Sequence, residues 1–351
     1  MIKRVAILYQ AQEPPKIGGI KKPMKPGGYS DSGADIAYSL LKQGIEIITN
    51  HLNPQVENDF DWVFPDTEDG IQESIDKGAN ILWLNTVLFS GHPIEKALSE
   101  GISVVGQIPS DAERFDDKWK TNQLLSEYQI PIPKSILITQ DNYTNYTLNF
   151  PFPVVVKPIR GRGSQGVSLV NTKQVLESVI KLMFQSHQFG NALYVEEYLV
   201  GEEITITVMP PGDYIIENKI IKKDRYWSLP PVKRFNHKDG IAPYNGTVAV
   251  INNSCVLTDR EIQSTTVQKA IMQCEKSAAI VRAKAPIRID CRANSNGEFL
   301  LFDLNMKPNM TGPSRPQRQD QDSLTALAAR KIGWTFDDLI LNILNQNWSI
   351  S

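Results

Sequence analysis

Residues 287–305, IRIDCRANSNGEFLLFDLN, predict a β-hairpin. The dipeptide Asn296-Gly297 near its centre is the strongest short signal for a two-residue type I′ turn. Cross-strand partners share a face of the sheet, and so do residues two apart on one strand. Four polar side chains are therefore expected to project together as two opposed pairs, Arg288 with Asn305 and Asp290 with Asp303.

The opposed carboxylates of Asp290 and Asp303 indicate a cation site. Two carboxylates roughly 5 Å apart repel each other unless a positive charge lies between them. The oxygen atoms of these two residues and of Asn305 suit Mg²⁺, which keeps water molecules and takes its remaining ligands from substrate phosphates. The alternative is a surface hairpin whose polar side chains are hydrated.

Composition and charge describe an enzyme-sized chain with room for two or three domains. It has 351 residues and a net charge of −2, from 37 Lys and Arg against 39 Asp and Glu. This balance disfavours nucleic-acid and anionic-membrane partners. No apolar run approaches the roughly 18 residues of a membrane-spanning helix, and the first residues resemble a strand rather than a signal peptide. Three widely spaced cysteines fit a reduced, cytoplasmic protein.

The first third of the chain alternates short apolar strands with helices, which predicts a doubly wound parallel sheet. A long connection rich in Pro, Gly and Lys, residues 10–29, precedes the helix expected at 31–43. Connections of this length are usually functional or disordered. Backbone N–H groups where the helix opens, beside Asp31, can hold a carboxylate, and an ordinary capped loop explains the same residues equally well.

A glycine-rich segment in the middle of the chain indicates phosphate binding. The strand at 152–158 carries Lys157 near its end, and residues 161–166 contain three glycines before the returning strand at 167–170. Glycine lets backbone N–H groups close over phosphates, and Lys157 and Arg162 add positive charge. The segment lacks the Gly-Lys-Ser/Thr of a Walker loop, and no helix follows it at once as in a dinucleotide-binding turn.

Residues 193–208 predict two strands joined by a short linker that contains Gly201. Backbone N–H and C=O groups of such a linker can face the edge of a purine, and a carboxylate shortly after it can bind ribose hydroxyls. The alternative is a hydrated hinge between domains.

Taken in order, these segments resemble the ATP-grasp superfamily, and within it the D-alanine–D-alanine ligase-like carboxylate–amine ligases. The resemblance implies an α/β fold with α+β character at the ATP site. It divides the chain into an N-terminal doubly wound domain (1–117), a central ATP-grasp subdomain (118–200) and a C-terminal ATP-grasp subdomain (201–351). It also implies an enzyme that uses ATP to form an amide through an acyl phosphate, with release of ADP and phosphate.

The resemblance assigns roles to individual residues. ATP binding is implied for Lys118 (with Lys120 as the alternative), Lys157, Arg162, Glu196, Glu197, Tyr198, Leu199, Glu203 and Lys233. Two Mg²⁺ ions, or Mn²⁺ in their place, are implied at Asp290, Asp303 and Asn305. Catalytic roles are implied for Arg288, which would stabilise the acyl phosphate, and for Gly163 and Ser164 of the glycine-rich flap. Residues 305–314 resemble the family's Asn-x-x-Pro-Gly-Met-Thr-x-x-Ser loop, which implies that Ser314 lines the acceptor pocket.

Three positions depart from the family pattern. Asp31 is only the nearest candidate for the acid that grips the first amino group. Gly163 stands in place of a flap serine, and Arg315 follows Ser314 where the family tends to be apolar. These departures predict that at least one substrate is an amino acid or amino-acid-like carboxylate other than D-alanine. They also predict an acceptor whose carboxylate or comparable anion is held near Ser314 and Arg315.

Two alternatives stay open. One is D-alanine–D-alanine ligation, and the other is a non-catalytic nucleotide-binding module. We expect the partners to be a small-molecule carboxylate and amine, and we expect a homodimer as the assembly.

Overall fold

The computed structural model describes residues 2–161, 165–237, 240–241 and 249–350. The predicted flap residues Arg162, Gly163 and Ser164 lie outside the described residues. Within them, three larger sheets form in turn from residues 4–105, 135–197 and 203–305. The domain boundaries expected after residues 117 and 200 stay a prediction. No helix in the described ranges has the length and apolar character needed to cross a membrane.

The N-terminal sheet is parallel, and its neighbours run β2-β1-β4-β5 with β3 also paired to β1. Its strands are β1 (Arg4–Tyr9), β2 (Glu46–Ile47), β3 (Val63–Pro65), β4 (Ile81–Asn85) and β5 (Ser103–Val105). The helices of this part are α1 (Ser30–Lys42), α2 (Glu68–Asp76), α3 (Ile94–Ser99) and α4 (Pro109–Phe115).

Alternation along β1 explains why helices cover both faces of this sheet. Val5 and Ile7 point to a core that they share with α1, whereas Ala6 and Leu8 point to a second core that contains residues of α2 and α3. All four side chains are fully buried. A strand that is buried on both faces is apolar throughout, and this confirms the predicted doubly wound parallel sheet.

The central part is an antiparallel sheet of order β6-β9-β7-β8, with one helix packed on it. Its elements are α5 (Lys118–Glu127), β6 (Ser135–Thr139), β7 (Val154–Pro158), β8 (Ser168–Val170), α6 (Lys173–Gln185) and β9 (Ala192–Glu197). The glycine-rich segment lies in the sequence between β7 and β8, which pair as antiparallel neighbours.

The C-terminal part contains an antiparallel sheet with helices packed on it. The strand order of this sheet is β15-β14-β10-β16-β17, and β13 also pairs with β10. Its strands are β10 (Glu203–Met209), β11 (Gly212–Ile216), β12 (Lys219–Lys223), β13 (Trp227–Ser228), β14 (Val232–Arg234), β15 (Ser254–Val256), β16 (Ile287–Ala293) and β17 (Phe299–Asn305). Its helices are α7 (Asp259–Ile262), α8 (Thr265–Ile280), α9 (Leu324–Lys331) and α10 (Phe336–Leu344).

The hairpin of β16 and β17 has the predicted pairing but a different turn. Asp290 lies opposite Asp303, and Arg288 lies opposite Asn305, as expected. The predicted two-residue turn is wrong, because five residues (294–298) separate the paired Ala293 and Phe299. A bulge between Asp290 and Cys291 shifts the register by one residue. Because of this shift, the residues from Arg288 to Asp290 pair with β17 as predicted in spite of the longer turn.

A buried ion network joins α1 to the loop after β17. Arg315 is fully buried; its guanidinium donates to Asp35 Oδ1 (3.0 Å) and to backbone oxygens, and lies 2.7 Å from Asp59 Oδ1. Ser314, also buried, donates to Asp35 at 3.4 Å. The prediction that Arg315 holds a substrate carboxylate is therefore corrected, because its donors are committed to the protein's own acceptors.

We expect Arg315→Ala to destabilise the protein. The substitution leaves the carboxylate of Asp35 buried with Arg318 as its remaining charged partner, and breaking a buried pair costs about 3–5 kcal/mol. Chemical denaturation should show this loss, while Arg260→Ala on the exposed side of α7 should leave the midpoint nearly unchanged. Equal midpoints for the two variants would contradict the assignment of Arg315 to the core.

Candidate active site

One face of the C-terminal sheet carries polar side chains at every second position. Between β10 and β16, the polar pairs in register are Glu203–Arg292, Thr205–Asp290 and Thr207–Arg288. On β17, Asp303 and Asn305 extend the last two pairs across the sheet. The intervening residues of β10 and β16 are aliphatic or Cys and pack on α8, so the alternation of the strands separates the core from the site.

A cavity of about 610 Å³ lies against this polar face. The central sheet, the linker after β9 and the N-terminal connection form its other walls. The predicted site residues that line it are Asp31, Lys118, Lys157, Glu196, Glu197, Tyr198, Leu199, Glu203, Arg288, Asp290, Asp303 and Asn305. The structure thus brings together residues from all three sheet regions of the chain.

The expected metal-binding residues form one oxygen-rich group. Thr205 donates to Asp290 Oδ1 at 2.7 Å, and the guanidinium of Arg288 reaches both oxygens of Asp290 at 3.2 and 3.1 Å. Lys118 pairs with Asp303. Among the described residues, no three His, Cys, Asp or Glu side chains gather as a metal site. The third ligand predicted from the sequence is the amide of Asn305, which lines the same cavity.

The charge of this group fits a divalent cation and phosphates. Burial raises the pKa of Asp303, but Lys118, Lys157 and Arg288 together lower it by more, so the net pKa lies below the usual value and the carboxylate stays ionised. Two carboxylates and an amide on one face are the hard oxygen donors that Mg²⁺ prefers. Lys120 is exposed, which favours Lys118 over its alternative as a phosphate-binding residue.

Lys157 and Glu196 form a buried ion pair on the central sheet. Lys157 Nζ donates to Glu196 Oε1 at 2.6 Å and to the carbonyl of Phe302 at 3.2 Å. Both side chains are almost fully buried. Burial raises the pKa of Glu196 more than Lys157 lowers it. Glu196 therefore faces Lys157 at the inner wall, whereas Glu197, Tyr198 and Leu199 continue along the linker.

The linker and Glu203 form the other end of the cavity. Glu203 accepts from His237 Nε2 at 2.8 Å when that nitrogen is protonated, and it lies 3.8 Å from Arg292. Arg292 also donates to the hydroxyl of Tyr198 at 2.8 Å and stacks on its ring. These contacts hold a carboxylate and an aromatic ring side by side, an arrangement that can bind ribose hydroxyls and a base.

The N-terminal connection, residues 10–29, contributes the remaining wall. Gly28 has φ +56°, and a Cβ there would lie 1.8 Å from the carbonyl oxygen of Gln10, so only glycine fits this turn. The turn places Asp31 at the cavity, where Lys25 Nζ donates to both of its oxygens at 2.8 and 2.6 Å. Lys307 lies over the ring of Tyr29 at 3.4 Å on the same side.

Of the predicted residues that the structure describes, three do not line the cavity. Lys233 projects from the other face of β14, where it is in register with buried Ile204 and pairs with Glu202. Its assignment to ATP is therefore corrected, because neighbours on a strand point to opposite faces. Ser314 and Arg315 lie in the loop after β17 and are buried in the ion network with Asp35, so their assignment to the acceptor pocket is corrected because they do not reach the cavity.

Arg234, Arg292 and Lys307 line the cavity but were not predicted. Arg292 follows Asp290 by two residues, so the period of the strand could have identified it. Arg234 is adjacent to Lys233, the residue that the resemblance assigned to ATP. Only the observed strand register shows which of the two faces the cavity. Lys307 lies in a loop, where no periodic pattern exists.

Comparison with known proteins agrees with this geometry. The family described as D-ala D-ala ligase C-terminus matches residues 124–345. A D-alanine–D-alanine ligase of Buchnera aphidicola is 27% identical over 240 residues, which cover 66% of this chain and 69% of the relative. One from Vesicomyosocius okutanii is 24% identical over 317 residues, covering 90% and 94%.

Two solved structures show the same fold over nearly the whole chain. The VanG D-Ala:D-Ser ligase of Enterococcus faecalis has a TM-score of 0.68 at 16% identity and covers 99% of both chains. The D-alanine–D-alanine ligase of Bacillus anthracis complexed with ATP has a TM-score of 0.65 at 17% identity, covering 98% of this chain and 97% of that one. The predicted fold and resemblance are confirmed: the chain belongs to the D-alanine–D-alanine ligase family and is an ATP-grasp ligase.

Proposed function

We propose that this protein joins the carboxylate of one amino acid to the amine of a second, and that it activates the carboxylate as an acyl phosphate at the expense of ATP. The observation that carries the proposal is the placement of Lys118–Asp303, Arg288–Asp290 and Lys157 around one cavity. A carboxylate is a poor electrophile, so it must gain a leaving group before an amine can displace it. Phosphate is that leaving group.

In the first step, a carboxylate oxygen of the donor attacks the γ-phosphorus of ATP, and the bond to the β,γ-bridging oxygen breaks to release ADP. Such transfers depend on positioning and charge neutralisation rather than on covalent help from the protein. Lys118 and Lys157 supply fixed positive charge at the inner wall of the cavity. Their pairing with Asp303 and Glu196 keeps both ammonium groups in place.

Mg²⁺, or Mn²⁺, would be held by Asp290, Asp303 and Asn305 and would neutralise phosphate oxygens when bound. Arg288, on the same face, would meet the negative charge that develops on the acyl group, because a guanidinium forms strong hydrogen bonds with anions.

In the second step, the amine of the acceptor attacks the acyl carbon, the amine loses a proton and phosphate leaves. Water would compete with the amine in an open site, so exclusion of water favours amide formation over hydrolysis.

D-Alanine is the first candidate for both substrates, because the relatives compared above are named D-alanine–D-alanine ligases. The expectation of a different substrate rested in part on Arg315, and its burial removes that reason. Asp31 with Lys25 at the N-terminal wall offers a carboxylate and an ammonium group, which can pair with the two charged groups of an amino acid. A cytoplasmic location and a homodimer stay predictions.

The purified protein should release ADP and phosphate in equal amounts with a dipeptide when it receives Mg-ATP and the right pair of amino acids. D-Alanine should be tested first, followed by other D- and L-amino acids as donor and acceptor. Release of AMP and pyrophosphate would refute the acyl-phosphate route. Failure to consume ATP with every pair would favour a non-catalytic nucleotide-binding module.

Asp303→Asn should raise the Mg²⁺ concentration needed for half-maximal activity, because one anionic ligand is lost. Losses of even outer-shell groups weaken metal binding by about 10- to 100-fold, so an effect at least this large is expected. Titration of activity with Mg²⁺ measures it. The same substitution at the exposed Asp224 is the matched control, and an unchanged Mg²⁺ requirement in Asp303→Asn would place the metal elsewhere.

Arg288→Ala should lower kcat by about 10²- to 10³-fold, the range for loss of a group that stabilises an oxyanion. The affinity for Mg-ATP should stay close to that of the unaltered protein, since the contact forms mainly in the transition state. Steady-state kinetics with calorimetric binding of ATP separate the two effects. A loss of ATP affinity that accounts for the whole change would contradict this role.

A further inference from the structure

Arg292 of β16 is a largely buried cation at the nucleotide end of the cavity, and each of its three side-chain nitrogens donates to the protein. Nε donates to the carbonyl of Gly201 at 3.2 Å, Nη1 to the carbonyl of Gly240 at 2.6 Å, and Nη2 to the hydroxyl of Tyr198 at 2.8 Å. The side chain is 12% exposed. This geometry favours a role in positioning neighbouring groups over direct contact with a ligand.

The contact with Gly201 fixes the linker between β9 and β10. The N–H of Gly201 donates to the carbonyl of Ala293 at 2.9 Å, and its carbonyl accepts from Arg292, so two adjacent residues of β16 hold both polar groups of the Gly201 backbone. A Cβ at Gly201 would lie 2.7 Å from the Cβ of Ala293, so the linker packs directly against the strand. The path of the linker along the cavity therefore depends on Arg292.

The other two contacts hold an aromatic ring. Tyr198 belongs to the same linker and lines the cavity. The guanidinium carbon of Arg292 lies 4.7 Å from the centre of the Tyr198 ring, and Nη2 donates to the hydroxyl, so both the face and the polar end of the ring are held. Gly240, in the segment after β14, is bonded to the same guanidinium. One side chain thus joins the linker to the segment that follows β14.

Arg292 also faces the carboxylate expected at the ribose. It lies opposite Glu203 in the register of β10 and β16, with 3.8 Å between Nη1 and Glu203 Oε2. The hydrogen bond to Glu203 comes from His237 Nε2, at 2.8 Å. Arg292 therefore attracts Glu203 by its charge, while its hydrogen bonds go to the linker and to Gly240.

We propose that Arg292 is a positioning residue for the adenosine part of ATP. It holds the linker, the ring of Tyr198 and the facing Gly240 in the arrangement that receives the base and the ribose, and it makes no contact with the phosphates. The inference rests on the proposed function, because ATP is the ligand. The planar guanidinium directs its donors to several acceptors at once, which the ammonium of lysine on its flexible stem does not reproduce.

Calorimetric binding of ATP, adenosine and inorganic tripolyphosphate to the full chain tests this assignment. Arg292→Met should weaken ATP and adenosine by the same factor, about 10-fold, the effect of losing a hydrogen bond to a charged group. Tripolyphosphate, which has neither base nor ribose, should bind as it does to the unaltered protein. Arg292→Lys should resemble Arg292→Met, because the charge alone does not hold the three acceptors.

Steady-state kinetics give a second readout. The KM for ATP should rise about 10-fold in Arg292→Met, whereas kcat at saturating ATP should stay close to that of the unaltered protein, since the reacting phosphates are not touched. Arg260→Met, on the exposed side of α7, is the matched control and should change neither value.

Tyr198→Phe keeps the inference testable if Arg292→Met does not fold. It removes the hydroxyl that accepts from Arg292 and keeps the ring, so it should weaken ATP and adenosine together, by less than Arg292→Met does. In a double-mutant cycle, the two substitutions combined should weaken ATP by less than the product of their separate factors, because they break the same contact.

Three results would overturn the inference. The first is unchanged ATP affinity in Arg292→Met and Tyr198→Phe. The second is a loss of tripolyphosphate affinity as large as the loss for ATP in Arg292→Met, which would mean that Arg292 serves the phosphates or the fold as a whole. The third is full ATP affinity in Arg292→Lys, which would mean that only the charge matters. Failure of the unaltered protein to bind ATP would refute the proposed function itself, and the inference with it.

Discussion

The pairing of β16 with β10 on one side and β17 on the other is the constraint on which the site depends. Alternate residues of β16 are buried against α8, so Arg288, Asp290 and Arg292 must face the cavity. A slip of one residue would bury these charges and expose the aliphatic residues, so the hydrophobic core itself enforces the arrangement of the site.

Charge balance within the cavity follows from this arrangement. Asp303 pairs with Lys118, Asp290 with Arg288, and Glu196 with Lys157. An isolated buried charge destabilises the folded protein, and the attraction within each ion pair offsets this cost for both of its members. In the function proposed above, the same groups would exchange partners on binding a triphosphate with divalent cations, because the ligands would then supply both signs of charge. The same charged residues would thus stabilise the folded protein as ion pairs and bind the charged ligands during the proposed reaction.

Much of the fold and part of the site could be predicted from the sequence, because both depend on local periodicity. The facing pairs of β16 and β17 were predicted correctly, although the turn was wrong and a bulge after Asp290 compensated for the error. Bulges leave no clear signal in sequence. Arg315 shows the second limit: its position beside a pocket motif suggested a ligand, but Asp35, distant in sequence, holds it in the core. Such long-range pairings require the folded structure.

Transfer of ¹⁸O from the donor carboxylate tests the proposed chemistry most directly. With both carboxylate oxygens of the donor amino acid labelled, an acyl phosphate predicts that one labelled atom leaves in inorganic phosphate and the other remains in the new amide carbonyl. Mass spectrometry of the two products measures this distribution. Label in AMP, or phosphate that carries none, would show that the cavity does not phosphorylate the carboxylate and would contradict the role given to the opposed pairs of β16 and β17.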